Sequence, residues 1–222
     1  MLCFGVYAGT RDGANFLQSG DEEMVIKKLV LTGGPCAGKT TGINLIKEKY
    51  TKIGWNVLVI SEVATDLING GIAPWTCGSN REFQKTIFVL QAAKEDAFAY
   101  AASTMKSEKV LILCDRGILD NKAYMNEDEY EEVLSFSKMT EEEVIGRYDG
   151  VIHLETAAKG NADQYTTANN TARYEDVAGA IKVDDRLLAA WENHPCRYVI
   201  PPYDNFDEKC AKLLDCAEKI VG

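Results

Sequence analysis

The chain has 222 residues, 46% of them hydrophobic and 26% charged, enough to build the core of one medium-sized α/β domain. Its net charge of −10 excludes a surface of concentrated Lys and Arg, and with it a nucleic-acid partner. No apolar run reaches the roughly 18 residues that a membrane span requires, and no sustained apolar segment near the start marks a signal peptide.

Residues 1–24 are rich in Gly, Ser, Asp and Asn, lack periodicity and read as a loose leader. Met24, just before the first strand, would serve as a natural start. Residues 25–222 then read as a single nucleotide-binding domain. The apolar run Leu29-Val30-Leu31-Thr32 leads into Gly33-Gly34-Pro35-Cys36-Ala37-Gly38-Lys39-Thr40, and a helical pattern with Ile43, Leu45 and Ile46 follows at once. This is a buried strand, a glycine-rich turn and a helix start with G-x-x-x-x-G-K-T at the junction. A triphosphate needs backbone N–H groups converging on it, and the helix N-terminus adds partial positive charge. Gly33 through Thr41 are therefore the nucleotide-binding candidates. Lys39 is placed for the β/γ-phosphates and the Thr40 hydroxyl for Mg²⁺. The first helix is expected to end near Tyr50 and Gly54.

Val57-Leu58-Val59-Ile60 reads as a second buried strand ending at Ser61-Glu62. In open parallel sheets, ligand groups gather at the carboxyl ends of strands, so Glu62 is a site candidate. A flexible connection over 67–79, with Gly70, Gly71, Pro74 and Gly78, precedes a long helix capped by Ser79 or Asn80. Gln84, Gln91 and Glu95 share one face of that helix, which is either solvent-facing or part of the site.

The third strand, Val110 to Cys114, ends in Asp115-Arg116-Gly117. An apolar strand ending in Asp is the pattern of a carboxylate that holds Mg²⁺ through water in P-loop proteins. Arg116 follows it rather than a water-activating Glu, which favours phosphoryl transfer over mechanical ATP hydrolysis. Asp120 follows in a short helical segment and, with Gln84, is a candidate substrate residue. Thr140-x-x-Glu143 is a capping box, and the acids around it are solvated faces. Gly150 to Leu154 is the fourth strand, with His153 as a satisfied polar residue inside the sheet. The polar stretch 156–175 reads as a lid that brings Arg173 to the γ-phosphate, with Arg186 on the helix behind it. A short strand over 197–200 and an amphipathic helix burying Ala211, Leu213, Leu214, Ala217 and Ile220 complete the chain. The alternation predicts a five-stranded, doubly wound parallel sheet flanked by helices, with the P-loop strand central, and a P-loop NTPase of nucleoside-kinase-like form.

The seven cysteines show no C-x-x-C spacing and only two histidines are present, so no zinc site is expected. Their odd number and scatter fit free thiols in a reducing cytoplasm. N-K-x-D is absent; Asn161-Ala162-Asp163 lacks the lysine.

The stretches LVLTGGPCAGKTTG, Glu62-Val63-Ala64-Thr65, Phe83-Gln84, CDRGILDNKAYM, GRYDGVIHL, Arg173-x-Glu175 and AAWENHP together resemble the AAA_28 group of P-loop proteins. That group joins the ribosylnicotinamide kinase domain of NadR-type regulators to the TRPL-translocation-defect protein. The ordered set of D-R-G-x-x-D, R-Y-D and W-x-x-H-P is closest to the translocation-defect branch. The resemblance spans about Lys28 to Pro195 and implies a core that binds ATP or GTP with Mg²⁺. It also implies Glu62 as base for an acceptor hydroxyl and Arg116 as the group that holds the acceptor. It departs at Pro201-Pro202, where the family pattern has Asp-Asn. Two functions follow: a small-molecule, nucleoside-like kinase, or a nucleotide-dependent binding module acting through a protein partner.

Overall fold

The computed structural model describes residues 24–160 and 177–222. The strands are β1 (Val25–Gly33), β2 (Asn56–Ile60), β3 (Lys109–Asp115), β4 (Gly150–Leu154) and β5 (Arg197–Ile200). The helices are α1 (Lys39–Lys52), α2 (Val63–Asn69), α3 (Asn80–Ser103), α4 (Glu127–Ser137), α5 (Glu141–Ile145), α6 (Val177–Ala190) and α7 (Phe206–Val221). Two 3₁₀ segments, Ile118–Tyr124 and Ala157–Lys159, follow β3 and β4.

All strand pairs are parallel, and the five-stranded order is β2-β3-β1-β4-β5. The P-loop strand is therefore central, as expected. Side-chain alternation along the strands feeds two cores on opposite faces of the sheet. Leu29, Leu31, Leu111, Leu113 and Ile152 pack with Ile43 and Ile46 of α1 and Leu213 and Ile220 of α7. Val30, Val110, Ile112, Cys114 and Val151 point the other way, towards Phe88, Tyr130, Val133 and Trp191. This is the all-parallel, helix-flanked α/β architecture of a P-loop NTPase, and both faces are covered because helical crossovers return on each side.

Two local expectations change, and one left open is decided. The 67–79 connection is shorter than expected: α2 begins at Val63, and Val63 and Leu67 pack against Phe83 of α3. The Gln84/Gln91/Glu95 face is buried, not solvated. Glu95 is fully buried because it accepts from Gln91 (2.8 Å), Arg147 (3.0 Å) and Tyr148 (2.9 Å) and lies 3.6 Å from the Lys28 ammonium. On α7, Ala211 is exposed and Leu214 only half-buried, whereas Cys216 and Val221 enter the core. The Thr140 capping box is present, and Asn126 and Glu129 form a second one at the start of α4. The six cysteines among the described residues form no disulfide. No helix among them is long and apolar enough to cross a membrane.

Trp191 ties α6 to the end of β3. It is fully buried, stacks edge-on against Tyr148 at 5.4 Å between centroids, and donates its indole N–H to Asp120 at 2.6 Å. Trp191→Phe keeps an aromatic side chain but removes the indole N–H and leaves Asp120 short of a donor. Urea unfolding should show a loss of about 1–3 kcal/mol.

Candidate functional site

The P-loop leaves the central strand at its carboxyl end. Gly33 has φ +139°, and a Cβ there would lie 1.9 Å from the Leu154 carbonyl oxygen of β4, so only glycine allows the turn at this separation. Gly34 is equally confined: its added Cβ would meet Asp184 Oδ1 at 2.7 Å. Gly38 caps α1 in the left-handed region with no side-chain cap, so the first turn of the helix is left without a competing oxygen. Lys39 is buried and donates to the Gly33 and Gly34 carbonyls at 2.9 and 3.0 Å. Its ammonium thus stands across the mouth of the loop, where phosphate oxygens can take the place of the carbonyls. Thr40 and Thr41 are exposed in the first turn of α1.

One buried carboxylate holds this loop in place. Asp184 of α6 is fully buried and its Oδ1 accepts from Gly34 N (2.7 Å), His153 Nε2 (3.1 Å) and Thr156 N (3.3 Å). Its other oxygen lies 2.7 Å from Lys159 Nζ. Burial alone would raise Asp184, but His153, Lys159 and the Gly34 amide hold it below the usual carboxylate range. Thr156 adds a second tie by donating to the Pro35 carbonyl at 2.6 Å. Thr156 thus touches the P-loop directly, and Lys159 reaches it through Asp184, so the first residues after β4 brace the loop. Arg173 and the rest of the expected lid, 161–175, lie outside the described residues. Arg186 is exposed on α6.

The second half of the site gathers beside β2 and β3. Arg116 has a left-handed φ of +71°, uncommon for a residue with a Cβ. Its amide continues the ladder to the Leu31 carbonyl (3.1 Å), and its own carbonyl accepts from Gln91 (3.4 Å). The side chain swings onto Glu62, with Nε donating to Oε1 at 2.5 Å, while Nη1 lies 3.7 Å from Asp120 Oδ2. Asp120 was expected as a substrate residue. Although it borders the cavity, its carboxylate is engaged by Thr32 Oγ1 (2.8 Å), Trp191 Nε1 and Arg116, so it braces the arginine.

Glu62 and Asp115 are shifted in opposite directions. Burial would raise Glu62, but Arg116, the Thr65 hydroxyl (2.7 Å) and Lys39 overcome it and hold it at about 2. Asp115 is raised, first by burial and then by the Glu62 charge, and its Oδ1 is buried without a hydrogen-bond partner among the described residues. An acidic oxygen that lacks a donor and sits beside another carboxylate fits a cation. The Thr40 hydroxyl makes no hydrogen bond among the described residues. No group of three or more acidic, His or Cys ligands occurs among them either. This donor set suits Mg²⁺ held by one carboxylate, one hydroxyl and the nucleotide's own phosphates, and not a metal caged by protein alone.

Two cavities adjoin these groups. One of about 130 Å³ lies between α1 and α7, bordered by Ala37, Thr41, Pro202, Tyr203 and Phe206. Lys209 closes it by donating to the Ala37 carbonyl at 3.0 Å. The other, of about 320 Å³, lies between α2, α3 and the 118–124 turn, and Glu62, Arg116, Phe83, Gln84 and Ile87 border it. Gln84, Glu62 and Arg116, named from sequence, thus meet at one cavity. Asp184, Thr156 and Lys159 were missed. Nothing local distinguishes an Asp in mid-helix, and the expected lid drew attention to arginines beyond β4 and not to this carboxylate.

A family model for the AAA domain AAA_28 matches residues 28–209, most of the chain. No curated protein matches it.

Removing the Asp184 carboxylate leaves the Gly34 amide and Lys159 without their buried partner. Asp184→Ala should cost about 3 kcal/mol or more in chemical denaturation. Calorimetry with ATP should show binding weakened as well, because the loop amides lose their anchor.

Proposed function

The chain belongs to the AAA_28 family of P-loop AAA domains, and we propose that it is a Mg²⁺-dependent kinase that moves the γ-phosphoryl group of ATP or GTP to a small, nucleoside-like hydroxyl acceptor. The observation that carries this reading is the Glu62–Arg116 pair, which borders the 320 Å³ cavity while standing close enough to Lys39 for that ammonium to depress Glu62. An ATPase built to activate water places a free carboxylate after the strand-end Asp; here that position is an arginine already committed to a second carboxylate.

The division of labour follows from the geometry. The loop amides, Lys39 and the first turn of α1 bind the triphosphate. The cavity beside Tyr203 and Phe206 takes the nucleoside end of the donor. Bound Mg²⁺, held by Thr40 and Asp115, would neutralise charge on the phosphates. Arg116 holds the acceptor with its hydroxyl against Glu62. The acceptor oxygen then forms the new bond to the γ-phosphorus, the bond from that phosphorus to the bridging oxygen breaks, and the nucleoside diphosphate leaves with that electron pair. The acceptor proton passes to a Glu62 oxygen. A carboxylate held near 2 is a weak base, which is tolerable because a loose phosphoryl transition state needs positioning and charge stabilisation more than early proton removal. Arg173 and Arg186 are the remaining candidates to meet the moving charge, a role worth about 10³-fold or more.

Glu62→Gln should abolish transfer, followed as labelled product from ATP or GTP with a nucleoside panel, and leave the affinity for ATP nearly unchanged. Transfer at the wild-type rate would remove Glu62 as base. Tight nucleotide binding with no effect of any acceptor on wild-type turnover would instead support a nucleotide-dependent binding module.

The pH dependence follows from the depressed Glu62. Its folded pKa lies below the ordinary 4.5, so its ion pair contributes stability that is complete above about 4.5 and is lost as pH falls towards 2. The stability gap between wild type and Glu62→Gln should therefore close between pH 4.5 and 2 in acid titrations followed by circular dichroism. Transfer should show no Glu62-dependent acid limb in the neutral range.

A further inference from the structure

Most polar groups around the 320 Å³ cavity already have protein partners. Glu62 is held by Arg116 and Thr65, Asp120 by Thr32 and Trp191, and Gln91 donates to Glu95. The Asn80 amide donates to the Tyr124 carbonyl at 2.8 Å. Gln84 differs. It is only 5% exposed, it borders the cavity, and its amide makes no hydrogen bond among the described residues. Both ends of this carboxamide are therefore available to a molecule in the cavity. One turn of α3 away lies Ile87, next to it Phe83, and across the cavity Ile68 and Pro74, all apolar. Arg116 Nη1 and Asn121 Oδ1, from residues bordering the same cavity, are likewise buried without hydrogen bonds.

We propose that Gln84 is the specificity-determining residue of the acceptor site and reads the edge of a planar heterocycle. A carboxamide offers one donor and one acceptor side by side, which matches an N–H next to C=O, or an amino group next to a ring nitrogen. Apolar side chains at Ile68, Pro74, Phe83 and Ile87 suit the faces of such a ring, and Glu62 and Arg116 suit the sugar hydroxyl at its other end. The volume lies near the lower end of the roughly 300–1,000 Å³ of small-molecule sites, which favours a nucleoside over a larger acceptor. This assignment rests on the kinase reading for its hydroxyl end, but the recognition of the base by Gln84 stands apart from transfer and is measured without it.

The test is calorimetry of uridine, cytidine, inosine, adenosine and free ribose with the full chain in the absence of ATP, on wild type, Gln84→Ala and the volume-preserving Gln84→Met. Thermal melts and ATP affinity verify that both variants fold. The expected result is that at least one nucleoside binds, that ribose binds far more weakly, and that both substitutions weaken the nucleoside at least about tenfold with ATP affinity unchanged. Wild-type nucleoside affinity in folded Gln84→Met would overturn the role of Gln84. Equal binding of ribose, or transfer to some other acceptor with none of the four nucleosides bound, would overturn the heterocycle while leaving a kinase. Gln84-dependent nucleoside binding with no labelled product from ATP or GTP would uphold the inference and remove the kinase reading.

Discussion

The site depends on one buried carboxylate. The P-loop is a run of small residues with few side chains to anchor it, and its amides can meet phosphate only if the backbone is held in shape. Asp184 holds it from α6, far along the chain, by taking the Gly34 amide while it also takes His153, Thr156 and Lys159. Strand β4 supplies the opposing wall, with the Leu154 carbonyl against Gly33. The phosphate cradle is therefore a product of three segments, β1, β4 and α6, and not of the glycine-rich motif alone. Coupling α6 to the loop also means that displacing α6 must break the buried hydrogen bond from the Gly34 amide to Asp184.

A second constraint separates the chemistry of two neighbouring acids. Glu62 and Asp115 end adjacent strands in one low-dielectric corner, so their charges repel. Arg116 resolves the conflict in favour of Glu62, which stays ionised, and leaves Asp115 deprived of a donor. One acid is thus satisfied by protein and the other keeps an unpaired oxygen among the described residues. The left-handed backbone at Arg116 is what allows this: with the strand ladder still satisfied through its amide, the side chain is turned back onto β2's end. Gln91, itself fixed by the buried Glu95 network, steadies the Arg116 carbonyl from α3.

Much of the architecture was legible from residue pattern. The apolar runs ending in Gly33, Glu62 and Asp115 identified three strands and put their ends at one edge, because parallel strands joined by right-handed crossovers all point their carboxyl ends the same way. The face of Gln84, Gln91 and Glu95 was visible as a face but not as an interior one. Polar residues at helical spacing are ordinarily solvated, and only the partners brought by Arg147, Tyr148 and Lys28 make burial affordable for Glu95. The role of Thr156 and Lys159 was hidden for a related reason: they look like loop residues until the P-loop carbonyl and Asp184 supply their bonds.

The sequence by itself determined the phosphate-binding loop, the order of the elements and the type of sheet. These depend on local periodicity and on the freedom of glycine, which are properties of neighbouring residues. Only the tertiary structure decided which acid is paired and which is left open, which amide in α3 has no partner among the described residues, and what holds the loop. Each of those is a contest between groups 50 to 150 positions apart, settled by distance and burial.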